Sequence, residues 1–235
     1  MVLLSIGMLA ALYAGTSASP CVPKCGPGRW STEAADLLPG NHGLRDIRVY
    51  SRDGGKFVHA GTDRWWAVVE NRTILPNLMP TYLGYPAELA WAPDNLAFYI
   101  TQSEGSETGY GTAVYQLGNG RISPEPGFSE VVKHFELRHR CAFQYRGRDA
   151  GNKPNIAGLK WSETSSQLVV VAEVPPIGVC GQMGYFSGYL VEVSTGKILE
   201  LYSPQQLMDR WRDALGERLN RDYLNLSPGE RTATP

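Results

Sequence analysis

Two stretches of the chain, 87–100 and 159–172, are built to one plan, and that plan leaves few folds open. The first runs Glu88-Leu89-Ala90-Trp91-Ala92-Pro93-Asp94-Asn95-Leu96-Ala97-Phe98-Tyr99-Ile100. The second runs Lys160-Trp161-Ser162-Glu163-Thr164-Ser165-Ser166-Gln167-Leu168-Val169-Val170-Val171-Ala172. In each a Trp opens a turn, and the turn residues favour a tight reversal, because Pro presets φ while Asp, Asn and Ser bond back to nearby backbone. The strand that follows is nearly all apolar, as befits a strand covered on both faces. A glycine-rich loop, a second strand (112–117 and 188–193) and a further Gly-containing turn complete each copy. Such an antiparallel unit cannot bury its own faces and has to stack on others.

The Trp91-Ala92-Pro93-Asp94-Asn95 turn with its strand, and more loosely the Trp161-Ser162-Glu163 turn with its own, is similar to the repeat of TolB-like (WD40-like) β-propellers. In that family a Trp-Ser-Pro-Asp-Gly turn leads into the innermost strands of a blade. The resemblance implies a mainly β fold of propeller-like antiparallel blades with surfaces for partners or ligands, and it carries no catalytic residue across. Asn95 stands where the family usually has Gly. Trp91 and Trp161 are about seventy positions apart, against roughly forty per blade. That spacing leaves room for a degenerate blade between them.

Residues 1–18 read as a signal peptide: an apolar run from Val2 to Leu9, then Ala14-Gly15-Thr16-Ser17-Ala18 at the cleavage end, although no Lys or Arg marks its start. An anchoring helix is the rival, but the run is short of the roughly twenty residues a span needs. The expectation is an exported protein, periplasmic or extracellular. Behind the signal come a loop-rich segment (19–45), the β body (46–202), an amphipathic helix (203–226) and a polar tail expected to be disordered (227–235). Within the body, 46–50 alternates as a half-buried strand, Asp53-Gly54 marks a turn, and 57–60 leaves it. With 22 Lys plus Arg against 23 Asp plus Glu, net charge predicts neither nucleic acid nor an anionic surface as partner.

Four cysteines in an exported chain invite disulfides: Cys21 with Cys25 across a small loop, and Cys141 with Cys180 across a long one. The Cys-x3-Cys spacing also suits a metal, but no further ligands lie nearby, and disulfides are expected rather than metal. His59, Asp63 and Glu70 form a trio that ordinary spacing on a β-rich chain produces by chance, and no cofactor is expected. Asn71-Arg72-Thr73 and Asn225-Leu226-Ser227 match the glycosylation sequon. The 103–111 loop is acidic, with no Lys or helix after it, which argues against phosphate binding.

Three surfaces are candidates for recognition. From Val132 to Arg148 the chain alternates, placing Phe135, Leu137, His139, Cys141, Phe143 and Tyr145 on one face of an expected strand. Arg138, Arg140 and Arg146 then form a basic stripe on the other, suited to an anionic ligand or an acidic partner, or simply to a solvated edge. On that strand His134 and His139 face opposite ways, and His139 is expected to be a hydrogen-bonded core residue. The loop at 175–186 carries Ile177, Val179, Met183, Tyr185 and Phe186, an apolar set that needs cover from the fold or from a partner. In the helix opened by Ser203-Pro204, Leu207, Trp211, Leu215 and Leu219 recur every four residues as a face for the protein's own domain or for docking.

The chain shows no strong motif for a nucleophile-base pair, paired carboxylates or metal ligands. The reading is an exported, non-enzymatic binding or scaffold protein for a protein partner or small ligand; the alternative is a secreted hydrolase or lyase on the same frame. A concave polar pocket with perturbed carboxylates favours the second, and a sealed surface with one apolar patch favours the first.

Overall fold

The computed structural model describes residues 21–22, 24–37, 47–60, 65–69, 72–73, 85–103, 109–118, 121–124, 127–143, 153–175 and 182–233. In chain order the strands are β1 (Cys21–Val22), β2 (Ala35–Asp36), β3 (Ile47–Tyr50), β4 (Lys56–Ala60), β5 (Trp65–Val69), β6 (Arg72–Thr73) and β7 (Ala87–Trp91). They continue with β8 (Ala97–Ser103), β9 (Tyr110–Gly118), β10 (Arg121–Pro124), β11 (Asn155–Trp161), β12 (Gln167–Glu173), β13 (Phe186–Glu192) and β14 (Lys197–Tyr202). Three antiparallel sheets result, ordered β1-β3-β4-β5-β6, β10-β9-β8-β7-β2 and β11-β12-β13-β14. Each is built on a meander of four consecutive strands.

The two copies visible in the sequence are joined by a third in the first sheet. At the head of each meander one hairpin turn recurs, with Ser51 N–H donating to Lys56 O (2.9 Å), Ala92 to Ala97 (2.8 Å) and Ser162 to Gln167 (2.9 Å). The left-handed position of the turn is Gly54 (φ 71°), Asn95 (φ 61°) and Ser165 (φ 61°). Glycine is the low-strain choice there. Asn95 and Ser165 instead use side chains to hold the preceding turn: Asn95 Oδ1 accepts from Arg52 N–H at 2.8 Å, and Ser165 Oγ from Asp94 N–H at 2.9 Å. Gly54 heads the first sheet, which has no earlier turn to hold among the described residues.

The tryptophans repeat a second link. Trp91 Nε1 donates to Val49 O at 3.0 Å, and Trp161 Nε1 to Ala90 O at 3.2 Å. Val49 and Ala90 are the penultimate residues of β3 and β7. Each Trp therefore reaches back to the first strand of the preceding meander. The third sheet lies directly against the second: Thr112 Oγ1 donates to Ile156 O (2.8 Å) and accepts from Gly158 N–H (2.9 Å). This excludes the degenerate blade, for which the contact leaves no room. The extra residues instead include two helices, α1 (Ser129–Arg138) and α2 (Arg140–Phe143).

Period two decides which neighbour each side chain meets. Leu89, Trp91, Phe98, Ile100 and Tyr115 of the second sheet pack with Val49 and Val58 of the first. Ala90, Tyr99 and Val114, of opposite parity, pack with the third sheet. Burying both faces of the central sheet removes of order 2 kcal/mol of apolar exposure per large side chain.

Helices α1 and α2 replace the described part, 132–143, of the strand expected over 132–148. Val131 and Phe135, four apart, are buried, while Leu137 is 51 % exposed. Phe135 and His139 rings meet at 4.4 Å. Spacing of four outweighs the alternation because a helical face, not a pleat, supplies the burial. Arg138 ends α1 and Arg140 opens α2, both exposed, so they are not part of a strand stripe; Arg146 lies outside the described residues.

The segment at 19–45 is more than a loop, since β1 and β2 join the first and second sheets. The helix expected over 203–226 is broken into α3 (Pro204–Trp211), a 3-10 turn (Arg212–Ala214) and α4 (Glu217–Asn225). Leu207, Leu215 and Leu219 are buried in the protein's own core, and Trp211 packs against Tyr202 at 4.5 Å, so this face is already occupied. The tail expected to be disordered forms α5 (Pro228–Thr232), with a capping box from Ser227 and Glu230.

The turn-to-turn bonds make a direct prediction. Asn95→Ala keeps a Cβ at φ 61° and loses the bond to Arg52, so it should lower stability by about 1–3 kcal/mol. Asn95→Gly loses the bond but relieves the backbone and should cost less. Urea midpoints of the two variants check this; equal losses would remove the strain half of the account.

Candidate functional site

The N-terminal segment and the C-terminal helices meet at one edge of the second and third sheets. Thr32 N–H donates to Ala214 O (3.0 Å), Gly216 N–H to Trp30 O (2.8 Å) and Arg218 N–H to Arg29 O (3.0 Å). Ser31 and Leu215 form an antiparallel bridge. These bonds make a clasp between residues nearly a chain length apart. It is nailed to the sheets by Ser31 Oγ, which donates to Leu159 O at 2.6 Å, and by the ion pair of Glu33 with Lys160.

Glu88, in β7, is the clasp's deepest anchor. Its Oε2 accepts the backbone N–H groups of Trp30 (3.0 Å) and Ser31 (3.3 Å), and the residue is 1 % exposed. Gly28 lies so close that a Cβ there would sit 2.1 Å from Glu88 Oε2 and 2.6 Å from Ser31 O, so the loop requires glycine. Burial pushes the Glu88 carboxyl up to about 8, with Asp36 adding to the rise and the backbone donors opposing it. Near neutral pH it is held protonated.

A second buried carboxyl, Glu173 at the end of β12, binds Arg218 Nη2 at 3.3 Å and receives the Tyr110 hydroxyl. Burial raises the Glu173 carboxyl and Arg218 counters it. The Arg218 guanidinium lies over the Tyr110 ring at 5.0 Å, and its Nε is 3.7 Å from Asp222 Oδ2. This cation is neutralised from behind.

Beneath the clasp opens a cleft of about 670 Å³. Its walls come from the 27–36 loop, Pro86, Ser103 and the 215–221 segment, with Arg29, Arg218, Arg221, Asp36 and Glu217 as its charged lining. The volume suits a small ligand. Glu88 and Glu173 are not among the lining residues.

Of the three surfaces marked in the sequence, the helix face contributes Leu215 to the lining of this site, and the other two contribute nothing to it among the described residues. Of the apolar loop, Met183 is 54 % exposed, whereas Tyr185 and Phe186 are core residues, a correction of their assignment to a partner surface. Tyr185 is covered by α1, its ring 6.5 Å from Phe135 and 4.7 Å from His139. Ile177 and Val179 lie outside the described residues. His139 Nδ1 is 3.0 Å from Gln182 Oε1, and His134 Nδ1 is 3.3 Å from Tyr189 Oη. Burial lowers both imidazoles, with the Arg138 charge adding to the fall. Cys21 and Cys25 are disulfide-bonded, as is Cys141; Cys180 lies outside the described residues, as do Asp63 and Glu70 of the trio with His59. Among the described residues no cluster of His, Cys, Asp or Glu could hold a metal, and no helix is long and apolar enough to cross a membrane.

Sequence reading missed Arg29, Trp30, Glu88 and Arg218. The one local signal was a Glu inside an otherwise apolar β7, a buried charge that needs a partner. No protein family, curated protein or solved structure matches the chain.

The raised carboxyl of Glu88 sets a pH dependence. Between its ordinary 4.5 and about 8 the folded protein holds this proton and the unfolded chain releases it. The Glu88 contribution to stability is thus full below about 4.5 and is lost as pH rises through about 8. Glu88→Gln, which mimics the neutral acid, should flatten the fall in urea midpoint across that window; parallel profiles for wild type and variant would refute the protonated anchor.

Proposed function

We propose that this chain is an exported, non-enzymatic binding protein on a β-propeller-like frame, and that it recognises a small ligand in the cleft under the clasp. The observation that carries the reading is where the carboxyls stand. A general acid or base has to come within hydrogen-bond reach of the atom it serves. The two buried, upward-shifted carboxyls beside the cleft do not line it and are held by internal partners, Glu88 through Oε2 by the backbone of Trp30 and Ser31, Glu173 by Arg218 and Tyr110. The cleft is left with guanidiniums, Asp36, Glu217 and apolar walls, a lining suited to holding a molecule rather than transforming it. This weighs against a hydrolase or lyase, although a polar pocket near perturbed acids was the feature named for that class.

The three equivalent turns and the Trp bonds back to the preceding sheet support the propeller-like, TolB-like reading of the frame. The Cys21–Cys25 disulfide supports an oxidising compartment.

The test uses protein labelled with nitrogen-15 at tryptophan and a set of charged and uncharged small fragments. Bound fragments should shift the Trp30 indole signal, assigned with Trp30→Phe, and be recovered unchanged. A fragment consumed on incubation would replace the binding reading with the enzymatic one; a set that never moves Trp30 would remove the cleft as the site.

A further inference from the structure

Glu88 has an acid directly opposite it. In the β2–β7 pairing Asp36 stands across from Glu88, and like charges so placed repel each other. Glu88 is the one taken wholly out of water, at 1 % exposed, so it is the one that holds a proton. That proton is poorly housed. Oε2 accepts the Trp30 and Ser31 amides, while Oε1 finds no partner among the described residues. A neutral acid there lacks one hydrogen bond, whereas an ionised one would lack its whole hydration.

The cover over Glu88 is a loop. Gly28 N–H donates to Ala34 O at 2.8 Å and closes 28–34 at its base. The Gly28 backbone packs directly on Oε2, and the two amides that bond this oxygen follow at 30 and 31. The loop is tied to the C-terminal helices by the Ser31–Leu215 bridge and the clasp bonds around it. It is tied to the third sheet by Ser31 Oγ on Leu159 O and by Glu33 with Lys160. A segment held by isolated bonds opens at lower cost than a strand held along its length. β7 is such a strand, paired with β2 on one side and β8 on the other, and it keeps Glu88 in place when the loop moves.

The other charges around this point are Arg29 and Glu33 on the loop itself, Lys160 on β11 and Tyr99 on β8. Glu217, Arg218 and Arg221 stand beyond the clasp, in the lining of the cleft. Asp36 is the charged neighbour that adds to the upward push on the Glu88 carboxyl.

We infer that the 28–34 loop is a proton-operated latch, closed over Glu88 while that carboxyl is neutral and released when it ionises, which opens one wall of the cleft. Its use in admitting a ligand rests on the cleft being the binding site; the latch itself does not. With the loop open, Glu88 returns to its ordinary 4.5, and with the loop closed it is held at about 8. Between those values the closed form keeps a proton that the open form releases. The open population therefore rises with pH, by up to about tenfold per unit, and levels off above about 8.

Amide hydrogen exchange of the full chain, corrected for the intrinsic dependence on pH, reads the latch without any ligand. The Trp30, Ser31, Thr32, Gly216 and Arg218 amides, which make the clasp bonds, should exchange as one group. Their protection should fall roughly tenfold per unit from about pH 5 to about 8. The Val170 amide, wholly buried in the third sheet, should stay roughly tenfold or more better protected throughout. Glu88→Gln should make clasp protection level across the window. Asp36→Asn, which removes the facing charge, should bring the levelling-off to lower pH. Clasp amides that exchange no faster than Val170 would overturn the latch, because Glu88 would then be reached only by global unfolding. Wild-type clasp protection that is flat with pH, or a fall that survives in Glu88→Gln, would overturn it too. Should Glu88→Gln not fold, the wild-type slope and the Asp36→Asn shift decide. A latch that opens in a protein whose Trp30 signal no fragment moves would stand, and only its part in ligand entry would go.

Discussion

The central sheet of this protein has two faces to bury and no means of burying them alone. The solution is a link made twice over. An indole N–H at the end of one first strand reaches the carbonyl one residue from the end of the previous first strand, Trp91 to Val49 and Trp161 to Ala90. Alongside it, a side chain at the left-handed turn position takes a backbone amide of the previous turn, Asn95 from Arg52 and Ser165 from Asp94. The two bonds pin the turn end of each contact, so the pleats meet in one register and period two sorts the large side chains between neighbours. Buried N–H and C=O groups must be paired, and here the pairing also specifies how the sheets stack.

The clasp is the other half of the architecture. Residues 29–32 are bonded on one side to 214–218 and on the other to Glu88 and Leu159. It draws both end segments of the described chain onto the second and third sheets. Its cost is a carboxyl taken wholly out of water, which burial keeps protonated near neutral pH. Arg218 ties α4 to Glu173 in the same region, so the cleft is framed by side chains already committed to holding the fold.

Much of this frame was legible along the chain. The Trp turns at 91–95 and 161–166, the apolar strands after them, the Cys21–Cys25 pair and the spacing of four through Leu207, Leu215 and Leu219 all mark local structure that local chemistry dictates. The third copy, at 50–56, was recognisable as a turn but not as a repeat, because Tyr50 replaces the Trp and no earlier sheet calls for an indole donor. The 132–148 stretch misled for a different reason. Its residues satisfy a period of two and a spacing of four at once, and only packing against the third sheet chose helix over the described part, 132–143.

The sequence by itself determined the hairpin units, since turn residues and apolar runs act over a few neighbouring positions. It also determined that such units had to be stacked. Only the tertiary structure decided that the second and third sheets touch directly, that Tyr185 and Phe186 belong to the core, and that Arg29 and Arg221 share a cleft. Those outcomes depend on contacts between residues far apart in the chain, where no local preference speaks and the burial of one segment is set by what another leaves uncovered.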